Sequence, residues 1–365
     1  MLMSRPMHLP RFVVRAVLAF RRGLHGAGDA LVPAGLPLLE RIGGLEVTAA
    51  LSVAAELGVA DRLDAGPATA AELAEATGVH ADALARLLRA LIAQGCFRLD
   101  GDGRYRNTRL SQGLRSAQAG SLRDFARYFG SAHNLSAWAE LGPAMHDGKS
   151  AFERVHGMTT WEAFARDAAM GAVFAGAMDE LTALEVPFLV DAYPFERHRS
   201  LCDIGGGRGG LLAALLERHP GLRGCLVDGP AALAGAADRF RAAGLDARVE
   251  LVPGDFFHAL PAGHDAYLLK DVLHDWDDAR ARRILDNCRR AMDGNGRLLI
   301  SEVLLEPGEA RFPGTLADLQ MMVVCSEGRQ RSLSELQALL DASGFQLVKV
   351  WDTARFSSWV ETSTR

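Results

Sequence analysis

The stretch LCDIGGGRGG, residues 201–210, decides the fold of the C-terminal half of the chain. It places a glycine-rich loop between a short apolar run, predicted to be a strand, and a run that favours a helix. Glycines let such a loop turn sharply and approach a ligand closely, and the N-terminus of the following helix supplies free N–H groups and partial positive charge. The stretch therefore predicts a nucleotide-binding loop.

From residue 200 onward, short apolar runs alternate with helical stretches. The predicted strands are Ser200–Ile204, Gly224–Asp228, Val249–Val252, Ala266–Lys270, Arg297–Val303, Gln346–Trp351 and Ser357–Thr362. Alternation of this kind predicts a parallel, doubly wound sheet, the Rossmann-like arrangement of α/β proteins. The last two strands are joined by too few residues for a parallel crossover, so we expect the sheet to end in an antiparallel hairpin.

The loop alone leaves two cofactors open. Gly205, Gly207 and Gly210 satisfy the dinucleotide fingerprint, and the same loop with Asp203 before it also satisfies the methyltransferase pattern. About 160 residues follow the loop, and they end in a hairpin rather than in a second dinucleotide-binding half. Asp203 also suits the ammonium and sulfonium of S-adenosylmethionine (SAM), whereas it would repel a pyrophosphate. Both features favour SAM over a nicotinamide cofactor.

Three further segments follow strands of the predicted sheet. Asp228 ends the second strand, where a carboxylate can bind ribose hydroxyls. The segment GDFF, residues 254–257, follows the third strand, so Asp255 can accept from an adenine amino group while Phe256 packs on the ring. The segment KDVLHDWDD, residues 270–278, follows the fourth. Because ligands of open α/β sheets sit outside the carboxyl ends of the strands, we expect these segments to share one crevice.

The N-terminal half contains a winged-helix pattern. Thr69 and Glu72 form a predicted capping box, and the turn sequence DGDG at 100–103 predicts a hairpin. The predicted elements are the helices Ala70–Thr77 and Ala81–Gln94 and the strands Cys96–Leu99 and Tyr105–Asn107. Taken alone, such a module suggests a DNA-binding regulator. The second helix offers Arg86 and Arg89, but it is mostly Ala and Leu, which favours a structural or dimerising role.

Four regions follow from these patterns. We predict a basic amphipathic N-terminal extension at 1–34, a winged-helix-like dimerisation domain at 35–115, a helical linker contributing to a substrate pocket at 116–190, and a SAM-binding Rossmann-like domain at 191–365. Within the extension, residues Pro10 to Leu24 predict a basic amphipathic helix. Packing on a partner subunit is the favoured interpretation of that helix, with attachment to a membrane surface and disorder as alternatives.

Composition narrows the class of protein. The net charge of −5 over 365 residues gives no global attraction to nucleic acid. No apolar run reaches the roughly 18–20 residues that a spanning helix needs. The five cysteines are scattered and form no CxxC pair, so we expect neither a disulfide framework nor a metal site, and a cytoplasmic location.

These motifs resemble the small-molecule O-methyltransferases that include plant caffeate and flavonoid enzymes and bacterial enzymes of polyketide, carotenoid and phenazine tailoring. The resemblance extends from about Pro37 to the C-terminus. It implies cofactor contacts at Asp203, Gly205, Gly207, Asp228, Asp255, Phe256 and Lys270, and substrate contacts at Trp138, Phe174, Met178, Asp318, Met321 and Met322. It also implies a homodimer acting on a small hydroxylated acceptor.

The resemblance assigns the catalytic base to His274, with Glu302 on the following strand orienting it. The family usually has a second acidic residue in a Gly-x-Glu-Arg-Thr stretch, but residues 328–332 read GRQRS, so Gln330 takes that position without its charge. A phenol of pKa ~10 is ionised to roughly one part in a thousand at pH 7, a need that a histidine base can meet. Methylation of nitrogen or carbon, related SAM-assisted chemistry such as decarboxylation or hydroxylation, and a nucleotide-sensing DNA-binding regulator remain as alternatives.

Overall fold

The computed structural model describes residues 11–292, 294–306, 308, 314–354 and 356–365. The first ten residues of the predicted N-terminal extension, Pro10 included, therefore lie outside the described residues. The chain forms two compact units. The sheet unit comprises residues 11–15, 137–162 and 182–365, and the helical unit comprises residues 16–136 and 163–181.

The α-helices of the described residues follow in chain order. They are α1 Arg11–Ala30, α2 Gly35–Ile42, α3 Gly44–Glu56, α4 Val59–Arg62, α5 Ala70–Thr77, α6 Ala81–Ala93, α7 Arg123–Phe129, α8 Ala132–Ala139, α9 Leu141–Asp147, α10 Ala151–His156, α11 Thr160–Arg166, α12 Ala168–Ala192, α13 Gly210–Arg218, α14 Pro230–Ala242, α15 Asp278–Ala291, α16 Gly314–Val324 and α17 Leu333–Ala342. The strands are β1 Phe97–Leu99, β2 Tyr105–Asn107, β3 Ser200–Ile204, β4 Arg223–Asp228, β5 Val249–Pro253, β6 Ala266–Lys270, β7 Arg297–Glu302, β8 Phe345–Asp352 and β9 Ser358–Thr364.

The sheet unit is built on one mostly parallel sheet with the order β5-β4-β3-β6-β7-β9-β8. Strands β3 to β7 pair in parallel, whereas β9 pairs antiparallel with both β7 and β8. Strand order reverses between β3 and β6, and this switch point opens a crevice at the carboxyl ends of the strands. The predicted fold class, with its terminal antiparallel hairpin, is confirmed.

Buried apolar clusters cover both faces of this sheet, as a parallel sheet requires. The side chain of Trp359 on β9 is fully buried, and its indole N–H donates to the Leu189 carbonyl at 3.0 Å. This bond ties the C-terminal half of α12 to the sheet. The predicted linker at 116–190 is accordingly divided, since 137–162 and 182–190 belong to the sheet unit and the rest to the helical unit.

The helical unit contains the predicted winged-helix pattern. Thr69 and Glu72 form the capping box at the start of α5, and α6 buries Leu84, Leu88 and Leu91. Strands β1 and β2 pair antiparallel across the turn at residues 100–103. Local capping and turn chemistry therefore specify this module.

The N-terminal helix extends further than its sequence pattern predicted, from Arg11 to Ala30. Its large apolar side chains are exposed, with Phe12 at 73% and Phe20 at 69%. Within the described part of the chain, no helix combines the length and apolar character needed to cross a membrane.

Candidate active site

The loop after β3 has the backbone that its glycines predicted. Gly205, Gly207 and Gly209 have φ values of 68°, 60° and 71°, a left-handed region that side chains with a Cβ rarely adopt. At Gly206 a Cβ would lie 2.4 Å from the Asp203 carboxylate, so this position has no room for a side chain. The glycines therefore let the backbone turn tightly into the start of α13, next to the switch point.

Asp203 is a buried carboxylate directly before this loop. The residue is 1% exposed, and neither carboxylate oxygen has a hydrogen-bond donor among the described residues. Burial, together with the nearby negative charge of Asp228, raises the pKa of Asp203 to about 7. A buried carboxylate without a donor is costly, so this position fits a ligand that brings a positive charge, such as the ammonium of SAM.

Asp228 lies at the carboxyl end of β4, where the sequence predicted it. One of its oxygens accepts from the Gly207 N–H at 2.8 Å and the other from the Gly229 N–H at 2.6 Å. Burial raises the pKa of Asp228, although these two bonds oppose that shift. The carboxylate thus holds the glycine-rich loop against the end of β4, in position to bind ligand hydroxyls.

Asp255 and Phe256 form the turn after β5. The Asp255 carboxylate accepts from the Phe257 N–H at 2.8 Å and lies 3.1 Å from the Nδ1 of His258, which fixes the turn. The Phe256 ring lies 3.5 Å from the point where a Cβ at Gly205 would be. The predicted aromatic surface therefore adjoins the predicted nucleotide loop.

Lys270 ends β6 as part of a buried charge cluster. Its ammonium lies 3.0 Å from a Glu185 carboxylate oxygen and is also hydrogen-bonded to Asp271. Burial alone lowers the pKa of Lys270, but Asp271 and Glu185 outweigh burial and raise it, so the ammonium stays charged. Asp271 has a positive φ of 53°, a strained conformation for a residue with a side chain.

His274 lies in a short 3-10 turn, Leu273–Asp275, that follows β6. Glu302 accepts a hydrogen bond from the backbone N–H of His274 at 3.0 Å. The resemblance implied that Glu302 orients His274, and in the structure this carboxylate holds the backbone of His274. Glu302 reaches this N–H because it ends β7, which pairs in parallel with β6, and the turn carrying His274 follows β6.

Gln330 makes the contact to the imidazole that the family resemblance implied. The Gln330 side-chain amide lies 2.8 Å from the Nδ1 of His274, and the Nε2 of the ring lies 3.5 Å from the Asp275 carboxylate. Burial lowers the pKa of His274, but Asp275, Asp271 and Glu302 outweigh it and raise that pKa. Burial also raises the pKa of Asp275 to about 6, although His274 opposes that shift.

Arg331 is a functional residue that the sequence reasoning missed. Its side chain is 1% exposed and donates to the carbonyls of Leu273 at 2.9 Å and Trp276 at 2.8 Å. It also donates to Asp278 at 2.9–3.0 Å. These bonds clamp the turn that carries His274. The signal was the GRQRS stretch itself, in which the residue beside Gln330 is an arginine.

Four of the predicted substrate residues belong to the same unit as His274. The Trp138 indole donates to Gln320 at 2.6 Å, and Asp318 accepts from the Gln330 backbone N–H at 2.8 Å. Met321 and Met322 are half-buried on α16. Asp318 therefore positions the residue that contacts the imidazole, and a role for these four side chains in binding an acceptor stays a prediction.

The other two predicted substrate residues, Phe174 and Met178, lie on the part of α12 that belongs to the helical unit. There the Phe174 ring stacks on Phe164 at 4.4 Å and meets Tyr128 edge-on at 5.2 Å. These contacts give Phe174 a packing role in its own unit. A substrate contact for either residue stays a prediction.

Comparison with known proteins agrees with both halves of the chain. The O-methyltransferase domain family matches residues 138–346, and the O-methyltransferase dimerisation domain family matches residues 39–116. A phenazine O-methyltransferase of Lysobacter antibioticus is 39% identical over 330 residues, which cover 90% of this chain and 96% of that protein.

Two further relatives show the range of the family. The crystal structure of an O-methyltransferase from neocarzinostatin biosynthesis, bound to SAM and a hydroxy-methyl naphthoic acid, has a TM-score of 0.76 and 36% identity, covering 87% of this chain and 96% of that one. The aclacinomycin 10-hydroxylase of Streptomyces purpurascens is 38% identical, covering 85% of this chain and 84% of that protein. With its family matches, its sheet topology and its glycine-rich loop, the chain belongs to the SAM-dependent O-methyltransferases of secondary metabolism that carry an N-terminal dimerisation domain.

Proposed function

We propose that this enzyme transfers a methyl group to a hydroxyl of a small aromatic or polyene metabolite and that His274 is the general base. The observation that carries the proposal is the environment of His274. A buried imidazole is held at Nδ1 by Gln330, and carboxylates beside it raise its pKa above the ordinary value of a histidine. A base with a pKa near the working pH is the most effective one for proton transfer.

SAM supplies the electrophilic methyl group when bound, and the residues of the chain bind and orient the reactants. The glycine loop, Asp228 and Asp255 offer hydrogen-bonding groups to the nucleoside, and Asp203 offers a negative charge to the ammonium. An acceptor oxygen has to lie in line behind the transferred methyl. The structure supports this division of roles because these groups all lie at or just after the carboxyl ends of strands β3, β4 and β5.

The remaining step, removal of the proton from the acceptor hydroxyl, is assigned to His274. Its Nε2 takes the proton only if Nδ1 carries the other one, which requires an acceptor at Nδ1. As placed, the Gln330 amide directs its nitrogen at Nδ1 and leaves its own oxygen buried without a donor among the described residues. Turning the amide by 180° puts that oxygen on the Nδ1–H, and amide orientations are assigned from such networks. The turned amide is the catalytic one in our proposal.

Charge around the ring supports the same assignment. When His274 takes a proton, the imidazolium lies beside Asp275, with Asp271 and Glu302 also nearby, and these carboxylates stabilise it. Ionising a phenol at pH 7 costs about 4 kcal/mol, and a positioned base contributes typically 10²–10⁴-fold. A histidine base therefore offsets much of the free energy needed to ionise a phenolic acceptor. The presence of His274 favours transfer to oxygen over the alternative chemistries of the family.

We also propose that the enzyme acts as a cytoplasmic homodimer. The dimerisation domain supports self-association, and apolar side chains at its N-terminal edge are exposed, including Leu39 at 65% and Ile42 at 64%. Scattered cysteines without a disulfide pattern support a reducing compartment.

The test starts with isothermal titration of SAM and S-adenosylhomocysteine, with NADH as the control. Labelled SAM is then supplied with a panel of hydroxylated phenazines, naphthoates and polyenes, and the site of methylation in each product is assigned by NMR. We expect O-methyl products, and a loss of about 10²–10⁴-fold in turnover for His274→Ala. The matched control His146→Ala, at an exposed position on α9, should keep full activity. N- or C-methyl products, or an unimpaired His274→Ala enzyme, would overturn the proposal.

A further inference from the structure

A second cluster of chemically reactive side chains lies in the sheet unit, away from the glycine-rich loop. Cys202 on β3 and Cys225 on β4 are in-register neighbours on adjacent parallel strands. His264 lies just before β6. The two sulfur atoms and one imidazole nitrogen all lie within 4.8 Å of one another. Their spacings of 23 and 39 residues match no short metal-binding motif, which is why the sequence predicted no metal site.

Burial and access at this cluster differ from those of an ordinary core contact. Both cysteines are 0% exposed, while His264 is half-buried. The Nδ1 of His264 is buried and has no hydrogen-bond partner among the described residues. His264 and Glu250 both line a pocket of about 230 Å³. The two cysteines are therefore shielded from solvent, whereas His264 borders this pocket.

We propose that Cys202, Cys225 and His264 bind one zinc ion, with Glu250 or a water molecule as the fourth ligand. Thiolate and imidazole are the ligand types that zinc prefers in tetrahedral sites, at roughly 2.3 Å for sulfur and 2.0–2.1 Å for nitrogen. Those bond lengths place the ligand atoms roughly 3.5–3.8 Å apart. The observed separations, all within 4.8 Å, exceed that spacing by no more than about 1.3 Å.

Zinc binds cysteine as the thiolate and histidine through a ring nitrogen that carries no proton. Binding zinc at this cluster would therefore release the thiol protons of Cys202 and Cys225.

The position of the cluster indicates a structural rather than a catalytic metal. Cys202 precedes Gly205 by three residues, about 10 Å along an extended strand. His264 adjoins the amino end of β6, the end opposite Lys270. A metal here would link β3, β4 and the segment leading into β6 without touching the methyl-transfer site.

The experiment uses the full-length protein, freed of metal by a chelator and kept reduced. Co²⁺ is titrated as a spectroscopic probe, followed by competition with Zn²⁺. We expect one Co²⁺ per chain, with a thiolate-to-cobalt charge-transfer band and tetrahedral d–d bands that Zn²⁺ removes. Cys225→Ser and His264→Gln should each weaken binding by more than the roughly 10–100-fold cost of losing an outer-shell partner.

Cys96→Ser is the matched control, because Cys96 is a buried cysteine of the helical unit outside the cluster. It should bind Co²⁺ like the wild type. His264→Gln keeps the test decisive if a cysteine variant fails to fold, since His264 is half-buried: Zn²⁺ should raise the Tm of the wild type and leave that of His264→Gln unchanged. Octahedral cobalt spectra without charge transfer, or equal binding by His264→Gln, would overturn the proposal.

Discussion

Replacing Gln330 with glutamate is the perturbation that best separates a general base from a merely buried histidine. The Gln330 amide lies 2.8 Å from the Nδ1 of His274 and can either donate to this atom or accept from it. An introduced carboxylate can only accept, so it selects the tautomer in which Nε2 is free to take a proton.

The expected shift in the pKa of His274 follows from the hydrogen bond between residue 330 and the imidazole. A hydrogen bond to a charged group contributes about 1.5–3 kcal/mol, against about 0.5–1.5 for a neutral pair. The difference of about 1–1.5 kcal/mol corresponds to about one pKa unit. Gln330→Glu should therefore raise the pKa of His274 by about one unit. Because the neutral imidazole is the base, the acid limb of the kcat/KM profile should move up by the same amount.

Two measurements check this prediction. The pH dependence of kcat/KM reports the base of the free enzyme, and NMR titration of ring-labelled histidine reports the pKa of His274 without any acceptor. Gln337→Glu, at an exposed position on α17, is the control for the added charge. An unshifted or lowered His274 pKa in correctly folded Gln330→Glu would refute the reasoning.

Three further predictions concern the glycine-rich loop and the bonds of Arg331 to the turn that carries His274. Because the pKa of Asp203 is raised to about 7, its carboxyl is neutral below that pH and charged above it. If the charged form binds SAM, affinity measured by titration calorimetry should rise about tenfold from about pH 6 to 8, and Asp203→Asn should remove that rise. Gly206→Ala places a Cβ 2.4 Å from the Asp203 carboxylate and should abolish SAM binding. The control Gly229→Ala, whose Cβ meets no atom within 4 Å, should retain SAM binding. Equal SAM binding by both variants would contradict the requirement for glycine at position 206. Arg331→Met removes the donor of the half-buried Trp276 carbonyl and one of the two donors of the buried Leu273 carbonyl, which keeps the Trp276 N–H at 3.2 Å. At about 1–3 kcal/mol in total, the Tm should fall by at least about 2 °C. The neighbouring exposed Arg329→Met should change the Tm far less, and a matching loss in both would count against the clamp.

The sequence predicted the sheet and its loop well because their determinants are local. Buried parallel strands are short apolar runs, and each of the seven predicted strands is found with its ends shifted by no more than two residues. The capping box at Thr69 and the turn at 100–103 also depend on neighbouring residues alone. Such features need no knowledge of tertiary contacts.

Contacts that depend on strand register or on tertiary packing could not be predicted from the sequence. Glu302 was expected to orient His274, and the pairing of β7 with β6 determines that it does so at the backbone N–H. The GRQRS stretch contains Arg331, but its role depends on the carbonyls that the turn carrying His274 presents to it. Cys202 and Cys225 meet only because β3 and β4 pair in register. Spacing along the chain contains none of this information.

The most direct test of the central claim uses acceptors whose hydroxyl pKa values span the assay pH. Turnover of wild type and His274→Gln is compared for each phenol, at saturating SAM and fixed pH. For phenols of pKa ~10 we expect the wild type to be faster by about 10²–10⁴-fold. That ratio should fall toward one as the phenol pKa drops below the assay pH, because an ionised acceptor needs no base. A ratio that stays constant across the series would contradict the assignment of His274 as the base.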